Sequence, residues 1–408
     1  MAKIFEKARS FNISARDYGL LGALILIVVL FQIFTDGRLL SAGNPNNLIS
    51  QNAYVVILAI GMVMVIIAGH IDLSVGSLVA MIGALVALAI KEWGFPWWVA
   101  ILFALLVGAA AGAWQGFWVA FVKVPAFIVT LAGMLIFRGL AIVLLTGGTI
   151  GGLPDPFVAI GTKWIPSIFG SIPTTYFAGP GGQVFEFKQL DVLTIVVGVL
   201  AGASYVIMQA RARAKLKERD LPREPRTIFI IKSVLVVAAI LYFSYLLAAY
   251  QGTPYVLILL AVLILAYSFV LNRTVFGRNI YAMGGNRFAA MMSGVKTRWV
   301  DFFIFVNIGV LAAVAAIVTT SRAGSAVSSA GNFYELDAIA AVFIGGAAVQ
   351  GGVGRISGAV IGALIMGVLN QGLSIMGVDS AWQQVIKGLV LLAAVAFDII
   401  NRRRAGNA

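Results

Sequence analysis

The sequence predicts an all-α fold, a polytopic transmembrane helix bundle of about ten to twelve spans with broken or re-entrant helices. Three observations predict it. Hydrophobic residues make up 61% of the 408 and charged residues only 11%, against about 25% charged in an average soluble protein. Too few charges remain to cover a water-facing surface, and mean hydropathy is +0.99. Apolar runs near the length of a spanning helix, about 20 residues, recur along the whole chain with short polar breaks between them. Finally, the basic residues collect in alternate breaks, as cytoplasmic loops do under the positive-inside rule. Soluble enzymes, nucleic-acid binders and disordered tails are excluded together. The net charge of +13 and pI near 10.1 belong to those loops and imply no nucleic-acid partner. Zero cysteines and one histidine, His70, remove disulfides, thiolate chemistry and any His-rich metal site.

The first element is a segment, 1–17, carrying Lys3, Lys7, Arg9 and Arg16 ahead of an apolar run from 18 to 34. That run imitates a secretory signal, whose apolar region is about 7–15 residues. It is longer, and only Ser41-Ala42-Gly43 resembles a cleavage site, so a retained first helix is expected. Further spans are predicted at 52–68, 74–90, 97–120, 126–146, 190–209, 228–249, 254–271, 300–320, 336–350, 355–375 and 382–400, completing a membrane domain over 18–400. The run 336–350 is short and either crosses or dips in and returns. A basic tail, 401–408, follows.

With the N-terminus inside, the inner side receives the four N-terminal bases, Lys123, and the run Arg211, Arg213, Lys215, Lys217, Arg219, Arg223 and Arg226 in a loop over 211–226. It also receives Lys232, the bases of a loop over 272–299, Arg355, and Arg402, Arg403 and Arg404. The outer side keeps Arg38, Lys91, Lys163, Lys188 and Arg322, while Arg138 and Lys387 fall inside spans. Twenty-two bases inside against five outside place both termini in the cytoplasm. Trp93, Trp97 and Trp98 fit an outer aromatic belt. The outer segment 147–189, rich in Gly and Pro and carrying Trp164, Tyr176 and Phe177, is expected to be non-helical. It suits either docking of an external partner or a plain tether. Gly108, Gly112, Gly116 and Gly354, Gly358, Gly362 give two helix faces of hydrogen atoms that let another backbone approach.

Two polar interruptions are costly in a membrane. One is Gly69-His70-Ile71-Asp72-Leu73-Ser74-Val75-Gly76-Ser77; the other runs from Asn332 to Gly354 and holds Glu335-Leu336-Asp337, Gly345-Gly346 and Gln350-Gly351-Gly352. Irregular backbone at membrane depth survives only where protein buries it or it lines a cavity, so Asp72, Ser74, Ser77, Glu335 and Asp337 are pathway candidates. The alternative is that Asp72 and Glu335 cap helix ends. A third segment, 277–295, contains a short amphipathic helix from Arg287 to Ser293, bounded by Gly, with Phe288, Met291 and Met292 on one edge. That edge suits docking to another protein, or lying on the membrane surface. No Gly-x-x-x-x-Gly-Lys-Ser/Thr stretch and no Gly-x-Ser-x-Gly elbow occurs, so no catalytic residues, metal ligands or nucleotide site are assigned to this chain.

Lined up, these segments resemble the sugar-permease family of binding-protein-dependent ABC importers, which includes ribose, galactose and xylose permeases. The matching residues are Asp72-Leu73-Ser74-Val75-Gly76-Ser77; Phe127-Ile128-Val129-Thr130-Leu131 with Arg138-Gly139; Tyr281-Ala282-Met283-Gly284-Gly285-Asn286; Ala289-Ala290 and Ser293-Gly294; and Glu335-Leu336-Asp337-Ala338-Ile339-Ala340-Ala341. The glycine run Gly345-Gly346, Gly351-Gly352-Val353-Gly354 and Gly358-Ala359-Val360-Ile361-Gly362-Ala363 completes a set covering roughly residues 45–400. The extra pair of spans at 190–209 and 228–249 is similar to the xylose branch, and His70 stands where the family usually has a small or acidic residue.

The resemblance implies a permease of the ABC importer type in the bacterial inner membrane, working as a homodimer. Two cytoplasmic ATP-binding subunits would hold ATP and Mg, and an external sugar-binding protein would deliver a monosaccharide, D-xylose for this branch. It implies further that Gly284, Gly285, Asn286, Arg287, Ala289, Ala290, Ser293 and Gly294 match the segment that couples to the ATPase. An ion-coupled secondary sugar transporter is the alternative of another class.

Overall fold

The computed structural model describes residues 15–41, 43–146, 148–172, 177–178, 184–185, 190–219 and 225–406. Lys3, Lys7, Arg9, Ala42, Gly147, Pro173, Tyr176, Pro180, Lys188, Arg223 and the last two residues of the basic tail lie outside them. In chain order the helices are α1 (Ala15–Phe34), α2 (Asn44–Ile67), α3 (Val75–Lys91), α4 (Trp97–Phe117, continued by a π turn, Trp118–Val122) and α5 (Ala126–Leu144). There follow α6 (Asp155–Thr162), α7 (Val192–Glu218), α8 (Arg226–Ala248), α9 (Tyr255–Arg273), α10 (Val275–Gly285), α11 (Arg287–Met292), α12 (Thr297–Ala323), α13 (Tyr334–Ile344), α14 (Ile356–Ile375) and α15 (Ser380–Gly406). Short strands β1 (Thr149–Gly151) and β6 (Ser325–Val327) pair antiparallel, with Ile150 opposite Ala326. The two-residue strands β2 (Ser171–Ile172), β3 (Phe177–Ala178), β4 (Val184–Phe185) and β5 (Leu190–Asp191) pair as β2 with β5 and β3 with β4.

Among the described residues, eight helices are long and apolar enough to cross a membrane, and three shorter apolar ones cover Gly19–Phe34, Val75–Lys91 and Ser380–Ala396. Three expectations change. The run 336–350 is not a spanning helix: α13 has 11 residues, about 16 Å at 1.5 Å per residue, half the hydrocarbon thickness. Gly345 ends it, and Gly346, Gly351 and Gly352 follow with left-handed backbone, where a helix cannot continue. The outer segment 147–189 is not wholly irregular either. Pro154 N-caps α6, Pro156 sits in its first turn, and Phe157 on that helix is fully buried. Lastly, the bases expected in a loop over 211–226 lie mostly on the last turns of α7, which runs on to Glu218.

The chain divides into two compact units. In the first, which includes Asp36–Asn47 and the described residues of Trp164–Pro254, α7 and α8 form an antiparallel hairpin packed through Gly198, whose absent Cβ would strike Ser244, and Gly202 against Val237. Asp191 caps α7 by accepting from the Thr194 N–H at 3.0 Å, and Arg213 sits 4.8 Å over the Phe229 ring. The outward sides of α8 stay apolar: Val234 and Leu235 are 60% and 65% exposed, as befits a lipid-facing helix.

The second unit holds Leu20–Thr35, Leu48–Lys163 and Tyr255–Ala408, and its core is α2, α3 and α12. Ile57, Leu58, Ile60, Met62 and Met64 on α2 are fully buried, so lipid scarcely touches this helix. On α4, Gly108 and Gly112 meet the carbonyls of Gly309 and Phe305 on α12 where side chains would otherwise stand. On α14, Gly358 and Gly362 meet Gly345 and Ala341 at the end of α13 in the same way. Both glycine stripes are therefore helix-packing faces, although Gly354 faces the end of α2 through Ile67 and Val63.

Candidate functional site

Within the second unit the two interruptions meet. The chain leaves α2 at Gly69 (φ +84) and re-enters helix only at Val75. It leaves β6, turns at Gly331 (φ +70) and Phe333 (φ +64), and enters α13 at Tyr334. Gly76 and Gly331 lie backbone against backbone: a Cβ on either would coincide with the other's carbonyl oxygen. Glu335 also presses its Oε2 on Gly76.

Asp72, Ser74, Ser77 and Glu335 are all buried around this seam. Asp72 Oδ1 accepts from the Ser74 N–H at 2.8 Å and from the Ser74 hydroxyl at 2.7 Å. Ser74 in turn accepts from Gln115 Nε2 at 2.7 Å, a contact that Gly133 leaves room for. Asp72 thus closes its own turn ahead of α3. Capping accounts for its Oδ1, while Ser74, the N-cap residue, contributes no side-chain bond to the helix. Arg138, the base that the sequence places inside a span and the structure places on α5, donates to the carbonyls of Ser328 and Ala330 at 2.7 and 2.8 Å and so holds the approach to α13. Glu335 Oε2 and Gln115 Oε1 are buried acceptors with no hydrogen-bond partner among the described residues. Buried acceptors normally have one, so this seam has capacity for a donor that the fold itself does not supply.

The structure separates Asp337 from that group. Asp337 Oδ2 accepts from Tyr54 at 2.6 Å, Lys387 at 3.1 Å and Asn370 at 3.4 Å. Asn370 reaches Asn52 at 3.1 Å, and the Tyr54 and Tyr334 rings stack with centroids 3.5 Å apart. This is a polar cluster joining α2, α13, α14 and α15, with Asp337 Oδ1 left over. Sequence reasoning marked Lys387 as a base inside a span but missed its partners, since Tyr, Asn and Gln on apolar helices give no pattern of their own.

A third site surrounds α11. Asn286 caps it by accepting from the Ala289 N–H at 2.9 Å, the Ser293 hydroxyl donates back to the Ala289 carbonyl at 2.9 Å, and Gly294 (φ +86) closes the end. Ala290 is buried, whereas Phe288, Met291 and Met292 are 68%, 52% and 72% exposed. Gly284 and Gly285 do a different job. The Ile67 carbonyl occupies the space of a Gly284 side chain, Gly285 abuts Gly352, and the Gly352 N–H donates to Ile67 at 2.8 Å. The end of α2, the end of α10 and the loop after α13 thus meet through glycine backbone, braced by Tyr281, whose hydroxyl donates to the Gly354 carbonyl at 2.7 Å. Burial raises that hydroxyl's pKa above the usual tyrosine value, with Arg355 nearby pulling it back; it remains a donor.

Asp301, which the sequence did not single out, ties these regions together. It is fully buried at the start of α12, accepts from or pairs with His70 Nε2 at 2.8 Å, and makes a close ion pair with Arg287. Its signal was available: an acid as the second residue of a predicted span. His70 is therefore a structural partner rather than an isolated ring.

The family model described as "Branched-chain amino acid transport system / permease component" matches residues 44–395. The chain is 38% identical over 401 residues to the xylose transport system permease protein XylH of Escherichia coli (strain K12), covering 98% of this chain and 95% of that protein. It is 40% identical over 399 residues to XylH of Haemophilus influenzae, covering 98% and 99%. It is 32% identical over 388 residues to the ribose import permease protein RbsC of Haemophilus influenzae, covering 95% and 94%. No solved structure matches.

Proposed function

We propose, from the premise that this chain belongs to the family of permease components of the branched-chain amino acid transport type, that it carries D-xylose across the bacterial inner membrane. The chain is a multi-pass membrane permease, the translocation subunit of an ATP-driven sugar importer. Xylose is proposed because the two XylH xylose permeases are 38% and 40% identical to this chain over nearly the full length. Two copies would flank one pathway, cytoplasmic ATP-binding subunits would supply the force, and an external binding protein would hand over the sugar.

One observation carries the coupling assignment: α11 presents Phe288, Met291 and Met292 to solvent while Arg287 on the same helix is anchored through Asp301 to His70. A partner that grips the exposed edge can thereby pull on the first interruption without any flexible linker between. Gly284, Gly285, Asn286, Ala289, Ala290, Ser293 and Gly294 shape that helix and its hinge. Asp72, Ser74, Ser77 and Glu335 would flank the sugar's route, where the unpartnered Glu335 Oε2 can accept from a sugar hydroxyl; Asp337 steadies the neighbouring helices. Cytoplasmic termini at both ends require an even number of crossings. The eight long helices and three shorter ones satisfy this if the interrupted stretch 325–355 supplies the twelfth.

The test is reconstitution into liposomes. Alone, the chain should concentrate no xylose; with ATP-binding subunits inside and the binding protein outside, it should do so. Vanadate should abolish that uptake and a protonophore should leave it intact. Accumulation by the chain alone, or collapse with the protonophore, would establish the ion-coupled alternative instead.

A further inference from the structure

Beside α11 lies a cavity of about 450 Å³ whose polar lining is basic: His70, Lys123 and Arg287, with Gly69, Pro125 and Phe127 among the remaining walls. The volume falls in the range of small-ligand sites, about 300–1,000 Å³. We propose that this cavity binds a phosphate group, presented either by a soluble phosphate ester or by a phospholipid headgroup. This goes beyond the transport reading and does not depend on it.

Three features point there. Positive charge is in excess: Lys123 feels Arg287 and Arg298, both of its own sign, and Asp301 as the opposing carboxylate. Asp301 is already occupied, since Oδ1 takes His70 and Oδ2 takes Arg287, so Lys123 is left uncompensated. Burial, and then Arg287, hold its ammonium pKa below the usual lysine value. Secondly, the backbone is built to put Lys123 there. Helix α4 ends in a π turn, and the N–H groups of both Lys123 and Val124 converge on the Trp118 carbonyl. Lys123 takes a left-handed conformation, φ +71, which is strained for a non-glycine residue. π turns and such outliers gather at ligand sites. Thirdly, the guanidinium and ammonium groups suit a tetrahedral oxyanion, for which arginine supplies the fork and lysine the point charge.

An anion in the cavity shares Arg287 with Asp301, so its presence bears on the tie that holds α11. The experiment uses the full-length chain in nanodiscs at constant ionic strength, reading thermal unfolding. One arm adds millimolar inorganic phosphate in place of chloride to phosphatidylcholine discs; the other adds phosphatidylglycerol without phosphate. Lys123→Gln and Lys123→Arg run alongside, Lys123 being exposed enough for either to fold. A midpoint raised by several degrees in at least one arm, lost in Lys123→Gln and kept in Lys123→Arg, supports the site. Response to phosphate identifies a soluble ester and response to phosphatidylglycerol a headgroup. No rise in either arm, or an equal rise in Lys123→Gln, overturns it.

Discussion

Asp301 is fully buried, and two groups on different segments depend on its charge. Removing the charge with Asp301→Asn strands a guanidinium that is only 41% exposed. Hydrogen bonds to charged groups are worth about 1.5–3 kcal/mol, so stability should fall by about 2 kcal/mol in a thermal unfolding assay of the detergent-solubilised protein. ATP-coupled uptake should fall much further than residual folded protein explains. The neighbouring Asn286 separates coupling from folding. Asn286→Asp keeps the acceptor that caps α11, so membrane content should match the wild type while uptake is lost; Asn286→Ala loses the cap as well, about 1 kcal/mol. Uptake unchanged in Asn286→Asp would remove the coupling role. The polar residues that matter divide by how they announce themselves. Asp72 and Glu335 stand out as acids between apolar runs, and the structure does gather them. Asp301 and Lys387 were visible only as charges just inside spans, and Tyr54, Asn52 and Asn370 were not visible at all. Their role comes from partners more than 30 residues away in sequence, which no local pattern encodes.

At the level of elements, the contact of α4 with α12 tests the packing argument. Gly112→Val would drive a branched side chain into the Phe305 backbone. Such overpacking costs about 1–3 kcal/mol and more when backbone must move. Gly139→Ala, where nothing lies within 4 Å, should leave the melting temperature unchanged or raise it slightly. Equal effects from both would mean that the helices do not meet through these glycines. The long helices were legible because length and hydropathy suffice for them. The short ones were not. The stop of α13 at Gly345 is set by left-handed glycines and by the Gly358 backbone crossing it, and α6 is held by burial of Phe157. The extension of α7 through its bases follows from good helix formers among them, Ala212, Ala214 and Leu216; charge alone suggested a loop.

For the molecule as a whole, orientation is the property from which transport direction follows. The chain has no cysteine, so single cysteines report accessibility without background. Met292→Cys, on the exposed edge of α11, should react with a membrane-impermeant maleimide in inverted vesicles and not in intact spheroplasts. Trp93→Cys, at the far end of α3 and 48% exposed, should show the reverse. Labelling of both from one side would defeat the assigned topology. The asymmetry of basic residues is what assigns this orientation, and the labelling tests it; the division into two compact units was not readable in the sequence, because linkers between membrane helices look alike in composition.

Where Gly76 faces Gly331, peptide meets peptide with no side chain between them. A joint of this kind offers selection no dial to turn: any substitution wedges it, and none can loosen it by degrees. Libraries that retune such a carrier for new cargo should therefore return both positions unaltered. Gains would come from the ring of residues around them, with Gln115 and Glu335 first among those still free to vary.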